Sequence, residues 1–185
     1  MNKIILASAS PRRKELLETA GAEFEIVVAA VDETVPEGTK PENAAVMTAE
    51  RKAAAVAENH KDSIVIGADT IVVAEGKILG KPADKADACR MLSMLSGVEH
   101  KVITGVCLAC GDKKTTFAQV SKVKFYDLTA DEINAYVETG EPMDKAGAYG
   151  IQGKGCVLVE KIEGDYFNIV GLPVARVMKE ISKLM

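Results

Sequence analysis

The chain has 185 residues, enough for one well-buried domain or two small lobes sharing a core, and its 48% hydrophobic and 27% charged composition excludes a disordered chain. A formal net charge of −4 excludes a protein that binds nucleic acid over its whole surface, so any polyanion must meet a local cluster of cations. No stretch approaches the length of a membrane span, and the apolar opening at 4–7 is too short for a secretory signal. The expectation is a cytoplasmic protein in which Cys89, Cys107, Cys110 and Cys156 are reduced, buried or half-buried residues.

In chain order, the pattern predicts a strand at 4–7 and a helix at 11–20, with Ser10 as N-cap, Pro11 at the first helical position and Gly21 as the stop. Leu16, Leu17 and Ala20 give that helix a buried face. A strand at 24–28 leads into a polar loop at 32–40. Residues 41–59 read as a helix, because Val46, Ala49, Ala53 and Val56 recur at spacings of three and four. A buried strand at 63–68 ends at Asp69, and a hairpin pairs 71–74 with 77–79 around Glu75-Gly76.

An amphipathic helix at 85–95 closes at Ser96-Gly97, and strands at 101–109 and 115–125 flank a turn at Gly111-Asp112. Thr129 and Glu132 form a capping-box pattern for a helix through Val137, which Gly140 and Pro142 stop. A glycine-rich loop at 146–155, a strand at 156–162, a turn at Gly164-Asp165 and a closing helix at 173–184 complete the chain. With no repeat, linker or low-complexity tract, the alternation predicts a single α/β domain over 1–185 with a mixed sheet.

Two places have the makings of a chemical site. Ser8-Ala9-Ser10-Pro11-Arg12-Arg13 passes from a strand end into a helix N-terminus, whose backbone N–H groups and positive dipole end attract phosphate. Two arginines there are at odds with an ordinary capped surface helix, since cations are disfavoured at that end; an anion held between them removes the penalty. Both readings stay open at this stage. At Gly67-Ala68-Asp69-Thr70 a buried strand delivers a carboxylate and a hydroxyl at its carboxyl end, so that Asp69 either binds metal or deprotonates water, or else simply forms a turn. Glu33 in the polar loop is either a second metal ligand or a solvated acid.

Basic residues recur at other transitions: Lys52 in an Ala-rich helix, Lys81 in Gly80-Lys81-Pro82, and Lys145 before the glycine-rich run. Singly each reads as a surface lysine; with Arg12 and Arg13 they suffice to neutralise a triphosphate and a departing pyrophosphate. The run Gly147-Ala148-Tyr149-Gly150-Ile151-Gln152-Gly153 permits close backbone approach to a ligand but lacks the spacing of a Walker or dinucleotide-binding loop. His60 and His100, the two histidines, stand beside no evident nucleophile, which argues against a histidine-dependent triad. Cys107-x-x-Cys110 has no second paired motif, which argues against zinc.

Taken together, Ser8-Ala9-Ser10-Pro11-Arg12-Arg13, Ala49-Glu50-Arg51-Lys52-Ala53, Gly67-Ala68-Asp69-Thr70-Ile71-Val72, Gly80-Lys81-Pro82, the run from Asp144 to Gly153, Gly164-Asp165-Tyr166 and Val170-Gly171-Leu172-Pro173 resemble the Maf family of nucleotide pyrophosphatases, also described as septum-formation inhibitor-like proteins. The match runs almost end to end, and the run around Tyr149 is its most specific part. The resemblance implies a fold related to the inosine-triphosphate pyrophosphatases: an elongated mixed sheet with flanking helices, and two lobes around a cleft. It implies Asp69 as general base or metal-bound carboxylate, Glu33 as its metal partner, and Mg²⁺ or Mn²⁺ as cofactor. Ser8, Arg12, Arg13, Lys52 and Lys81 would contact the phosphates. Arg12, Thr70 and Gln152 resemble the branch that prefers dTTP and UTP over the branch acting on 7-methyl-GTP. A homodimer is compatible with the resemblance, and no stable nucleic-acid complex or membrane partner is expected. Two other functions remain: a pyrophosphatase for damaged purine nucleotides or 7-methyl-GTP, and a non-enzymatic nucleotide-binding regulator of cell division.

Overall fold

Seven strands and six helices alternate along residues 3–184, the part of the chain that the computed structural model describes; Met1, Asn2 and Met185, which the single-domain expectation takes in, lie outside the described residues. The order is β1 (Lys3–Leu6), α1 (Pro11–Thr19), β2 (Phe24–Ile26), α2 (Pro41–Ala57), β3 (Ser63–Ala74), β4 (Lys77–Leu79), α3 (Lys85–Leu95), β5 (Glu99–Cys110), β6 (Lys113–Phe125), α4 (Ala130–Glu138), β7 (Val159–Glu163), α5 (Tyr166–Val170) and α6 (Val174–Leu184). The strands form one mixed sheet in the order β2-β1-β3-β5-β6-β7, with β4 paired to β3. The expected mixed sheet with flanking helices is thus present. No helix among the described residues is long and apolar enough to cross a membrane.

The chain divides into two compact units. The first holds the residues up to Thr70, Thr104–Gln119 and those from Gly171 on; the second holds Ile71–Ile103 and Val120–Val170. In the first unit β1 is parallel to both neighbours, with Ile4 opposite Phe24 and Ile64, so each connection must cross over a sheet face. The crossover through α1 moves outward to β2, and the one through α2 moves back past β1 to β3. With right-handed crossovers, that reversal places α1 and α2 on opposite faces.

What holds α2 against the sheet is the near absence of side chains between them. Ala49 and Ala53 are fully buried and pack with Ile5, Ala7, Val65 and Cys107. A Cβ on Gly67 of β3 would lie 2.2 Å from the Ala49 carbonyl oxygen, and one on Gly105 of β5 would lie 2.2 Å from the Ala45 carbonyl carbon. Both glycines are therefore demanded by the helix backbone resting on them. On α1, Leu16 and Leu17 are buried as expected, and Gly21 takes a positive φ of 71° where the chain leaves the helix.

Several local expectations differ from the structure: Ala20, expected on the buried face of α1, and Cys156, expected to be buried or half-buried, are both exposed. β3 does not end at Asp69; the β-branched run Thr70-Ile71-Val72-Val73 favours continued extension, and the strand runs on to Ala74. Ser10 precedes α1 in an extended conformation, yet its side chain makes no capping bond, and its N–H donates to Ser8 Oγ (3.2 Å). Residues 154–158 form a 3-10 turn, with Cys156 N–H bonded to the Gly153 carbonyl, so β7 starts only at Val159. The Gly164-Asp165 turn also starts helix α5, whose Phe167 N–H the Asp165 carboxylate accepts at 2.8 Å.

In the second unit, α3 and α4 cover a core that includes Leu92, Leu95, Val123, Phe125, Val137 and Tyr149. The Thr129–Glu132 capping box forms as the sequence suggests. The glycine-rich run proves to be packed against the protein's own groups. Glu141 accepts the N–H groups of Lys154 (2.8 Å) and Gly155 (3.2 Å) and the Tyr136 hydroxyl (2.9 Å). A Cβ on Gly153 would meet Glu141 Oε2 at 2.4 Å, and one on Gly147, at φ 70°, would meet Val72 at 2.9 Å. These glycines make room for an internal carboxylate and a strand side chain.

His100 belongs to the same core. It is 2% exposed, stacks edge-on against Phe125 and Tyr149, and meets the Tyr149 hydroxyl at Nε2 (2.9 Å). Burial lowers its pKa from 6.5 to about 4. The folded chain thus refuses a proton that the unfolded chain accepts, so this contribution to stability is complete above pH 6.5 and is lost as the pH falls towards 4. From His100 alone the loss by pH 5 is about 2 kcal/mol. Urea unfolding at pH 7.5 and pH 5 should therefore show a smaller acid loss in His100→Gln than in the parent chain; equal losses would contradict the assignment.

Candidate active site

The parallel pairing creates the site's floor. β1 stops at Leu6, opposite Ile66, and the Ala7 N–H makes the last bond across, to the Ile66 carbonyl (2.8 Å). β3 continues past that point without β1 beside it, so Asp69 and Thr70 stand beyond the end of β1, where Ser8 leads into α1. A crevice outside the carboxyl end of a strand such as β1, where successive crossovers diverge, is the usual ligand position in open α/β sheets. Asp69 is mid-strand in β3 rather than at its end, and it is the shortness of β1 that uncovers it.

Strand alternation sends Asp69 and Thr70 to opposite faces. Asp69 shares the Gly67 face, against α2, and Oδ1 accepts the Lys52 ammonium at 2.8 Å. The same ammonium reaches Glu33 Oε1 at 2.9 Å. Lys52 and Asp69 are largely enclosed, with side chains 16% and 17% exposed, while Glu33 is 60% exposed. The loop bearing Glu33 is fixed from the next residue of α2, since Arg51 Nη1 donates to the carbonyls of Asp32 (2.9 Å) and Thr34. Asp32 closes the turn by accepting the Thr34 N–H (2.9 Å), and this bond together with that of the Thr34 hydroxyl lowers its pKa. Two adjacent residues of one helix thus hold both ends of the acidic pair.

On the other face Arg13 is buried, and its guanidinium is gripped by neutral oxygens. Nε donates to the Gly171 carbonyl (2.9 Å), Nη1 to Ser8 Oγ (2.9 Å) and Nη2 to Thr70 Oγ1 (3.2 Å). Thr70 Oγ1 also meets Thr104 Oγ1 at 2.9 Å. Desolvation is the main cause lowering the Arg13 pKa; Asp69 and Glu33 oppose it, and neighbouring Arg12 adds to it. Hydrogen bonds to neutral oxygens orient the cation without cancelling its charge. A rigid, desolvated guanidinium beside a second one is a setting that an anion stabilises.

The structure brings together Ser8, Arg13, Glu33, Lys52, Asp69 and Thr70 within the first unit, with Arg12 next to Arg13. Lys81 and Gln152 belong to the second unit, both exposed. There the Gly147 N–H donates to the Gly80 carbonyl (3.0 Å), joining the segment before Lys81 to the glycine-rich run that leads to Gln152. Lys145 is occupied by the Glu141 carbonyl and the Asp144 carboxylate, each at 2.7 Å. Sequence reasoning missed Thr104 and Gly171 as parts of the Arg13 cage, and Arg51 as the anchor of the Glu33 loop. A backbone carbonyl leaves no mark on residue type, and Arg51 looks like any helix-surface cation.

Asp69 and Glu33 could hold a divalent ion, being hard oxygen donors within reach of one ammonium. Among the described residues no group of three or more His, Cys, Asp or Glu gathers as a metal cage. A two-carboxylate site suits an ion that takes its remaining ligands from water and phosphate. The Cys107 and Cys110 thiols, three residues apart on β5, point to opposite faces, and burial raises the Cys107 pKa to about 11. They do not face one another as a chelating pair.

The chain is similar to known proteins over nearly its whole length. Proteins named dTTP/UTP pyrophosphatase are 54% identical in Bacillus anthracis and 52% identical in Bacillus cytotoxicus, each over 183 residues covering 99% of this chain and 96% of the relative. Two solved structures share the fold: the Staphylococcus aureus Ham1 protein (TM-score 0.56, 16% identity, 97% of this chain and all of that one) and a HAM1 protein from Coxiella burnetii (TM-score 0.54, 15% identity, 99% and 100%). The family described as Maf-like protein matches residues 3–184, and the chain belongs to it.

Proposed function

We propose that the protein is a nucleoside triphosphate pyrophosphatase that hydrolyses dTTP and UTP to the monophosphate and pyrophosphate. One observation carries this reading: a buried, neutrally caged Arg13 and an Asp69–Lys52–Glu33 cluster flank the same uncovered stretch of β3, in a chain more than half identical to proteins of that name. A triphosphate needs fixed positive charge along its oxygens, and the attacking water needs a base.

In this reading Asp69 accepts a proton from the water as its oxygen bonds to the α-phosphorus. The bond from that phosphorus to the α,β-bridging oxygen breaks, and the electron pair leaves with pyrophosphate. Arg13 and Ser8, with Arg12, Lys52 and Lys81, hold the phosphate oxygens and stabilise the charge that grows on the leaving group. Arg13 does so without reorganising, because its cage already fixes it. Arg12, Thr70 and Gln152 discriminate the nucleotide. Mg²⁺ or Mn²⁺ held by Asp69 and Glu33 would supply Lewis-acid neutralisation of the phosphate charge. A cytoplasmic setting goes with this reading, where nucleoside triphosphates and reduced cysteines coexist.

Asp69→Asn keeps the side-chain volume and an acceptor for Lys52 but is a far weaker base, so kcat/KM should fall by about 10²–10⁴-fold with the thermal midpoint little changed. Wild-type rates would remove Asp69 from the mechanism. Lys81→Ala should lower kcat/KM by about tenfold or more, in line with the loss of one charge-stabilising donor; an unaltered value would exclude Lys81 from the phosphate site. A panel of dTTP, UTP, 7-methyl-GTP and ITP, each assayed for pyrophosphate with and without chelator, should favour the two pyrimidine nucleotides. Preference for ITP or 7-methyl-GTP would overturn the substrate assignment, and nucleotide binding without pyrophosphate release would point to a regulator.

A further inference from the structure

We propose that Lys52 is a built-in stand-in for the divalent ion: in the nucleotide-free protein its ammonium holds the cation position between Asp69 and Glu33, so that a metal ion enters only with a triphosphate that draws Lys52 onto itself. The inference rests on the pyrophosphatase reading above, and it concerns the order of events at that site.

The bridge is specific. One ammonium lies 2.8 Å from Asp69 Oδ1 and 2.9 Å from Glu33 Oε1, which leaves one of its three N–H groups to meet a phosphate oxygen. Lys52 is 16% exposed, so its charge is little screened by solvent. With the ammonium present the cluster carries a net charge of −1, and a dication arriving there must approach a fixed cation a few ångströms away. Without it the cluster carries −2 and presents two oxygens to one ion. An ammonium is also the one common side-chain cation whose long flexible stem lets it leave without moving the backbone.

Two further features fit a departing lysine. The Glu33 loop does not depend on Lys52 for its position, because Arg51 holds the carbonyls on either side of Glu33. Glu33 is 60% exposed, which gives a hydrated ion an open approach. A triphosphate supplies what the free ion lacks, namely negative charge that rewards Lys52 for leaving the carboxylates and oxygens that complete the ion's shell.

Titration of the full-length, nucleotide-free protein with Mn²⁺, followed by electron paramagnetic resonance of the free ion, tests this directly. Lys52→Met should bind Mn²⁺ at least about tenfold more tightly than the parent chain, as expected when one like charge is removed at close range, and Mn²⁺ should raise its thermal midpoint more. Lys52→Arg, which keeps the charge, should resemble the parent, and Asp69→Asn added to Lys52→Met should abolish the gain. Adding an α,β-imido analogue of dTTP should bring the parent's Mn²⁺ affinity up to that of the variant. Lys52→Gln, which retains a donor for both acids, serves in the same way if Lys52→Met does not fold. Equal Mn²⁺ affinities in parent and neutral variants would overturn the inference, while metal-dependent pyrophosphate release by the parent would leave the functional reading standing. Failure of that release as well would sink both.

Discussion

The close approach of α2 to the sheet sets the acidic side of the candidate site. An Ala-faced helix lying on Gly67 and Gly105 brings its backbone to a distance at which a single added methyl would collide with main-chain atoms. At that separation the residue beside Ala53, Lys52, spans the gap to the strand, and it meets Asp69 because Asp69 is two residues beyond Gly67 on the same face. A larger residue at Gly67 would have to push the helix off the strand, and overpacking of this kind costs about 1–3 kcal/mol even where the structure can yield. Here it would also open the Lys52–Asp69 contact.

That geometry explains why a charged cluster can persist half-buried. Removing an ion pair from water is unfavourable unless its remaining polar groups are satisfied. The first unit meets that condition in two ways. Lys52 has two carboxylate partners, and Arg13 has three neutral ones drawn from α1's approach, β3 and the start of the segment before α6. No buried side-chain nitrogen or oxygen among the described residues lacks a partner. The positive charge of Arg13 is fixed but not paid off by a direct carboxylate contact, which distinguishes it from a structural ion pair and suits it to a transient anion.

Much of this was legible in the residues. The helix and strand spacings, the capping box at Thr129 and the hairpin at Glu75-Gly76 reflect local physics, and they recur in the structure. So does the burial of Leu16 and Leu17. The errors lie where tertiary contacts decide. The glycine-rich run looked open to a ligand because glycine marks close approach without saying to what; the approaching groups are Glu141, Lys145 and Val72. Asp69 looked like a strand end because the sequence shows where extension begins more clearly than where a neighbouring strand stops. For Arg13 the sequence left a capped surface helix and an anion site both open, and only the folded chain reveals that the side chain turns inward to a carbonyl at Gly171, which no side-chain pattern could announce.

Read as a charge distribution, the first unit is poised for exchange. Asp69 and Glu33 are neutralised in part by Lys52, while Arg13 is a cation gripped by neutral oxygens. In the proposed function a metal-bearing triphosphate would supply the complementary set, with a dication for the carboxylates and anionic oxygens for both Lys52 and Arg13. Each half of such a ligand removes the obstacle to the other: phosphate relieves the ammonium of its two acids, and the ion compensates the acids for losing it. Neither half alone gains as much, since free metal meets the ammonium and free triphosphate meets uncompensated carboxylates. Coupling of that kind is reciprocal by thermodynamic necessity, so a site built from these few residues would discriminate a metal–nucleotide complex from either component without any change in the backbone.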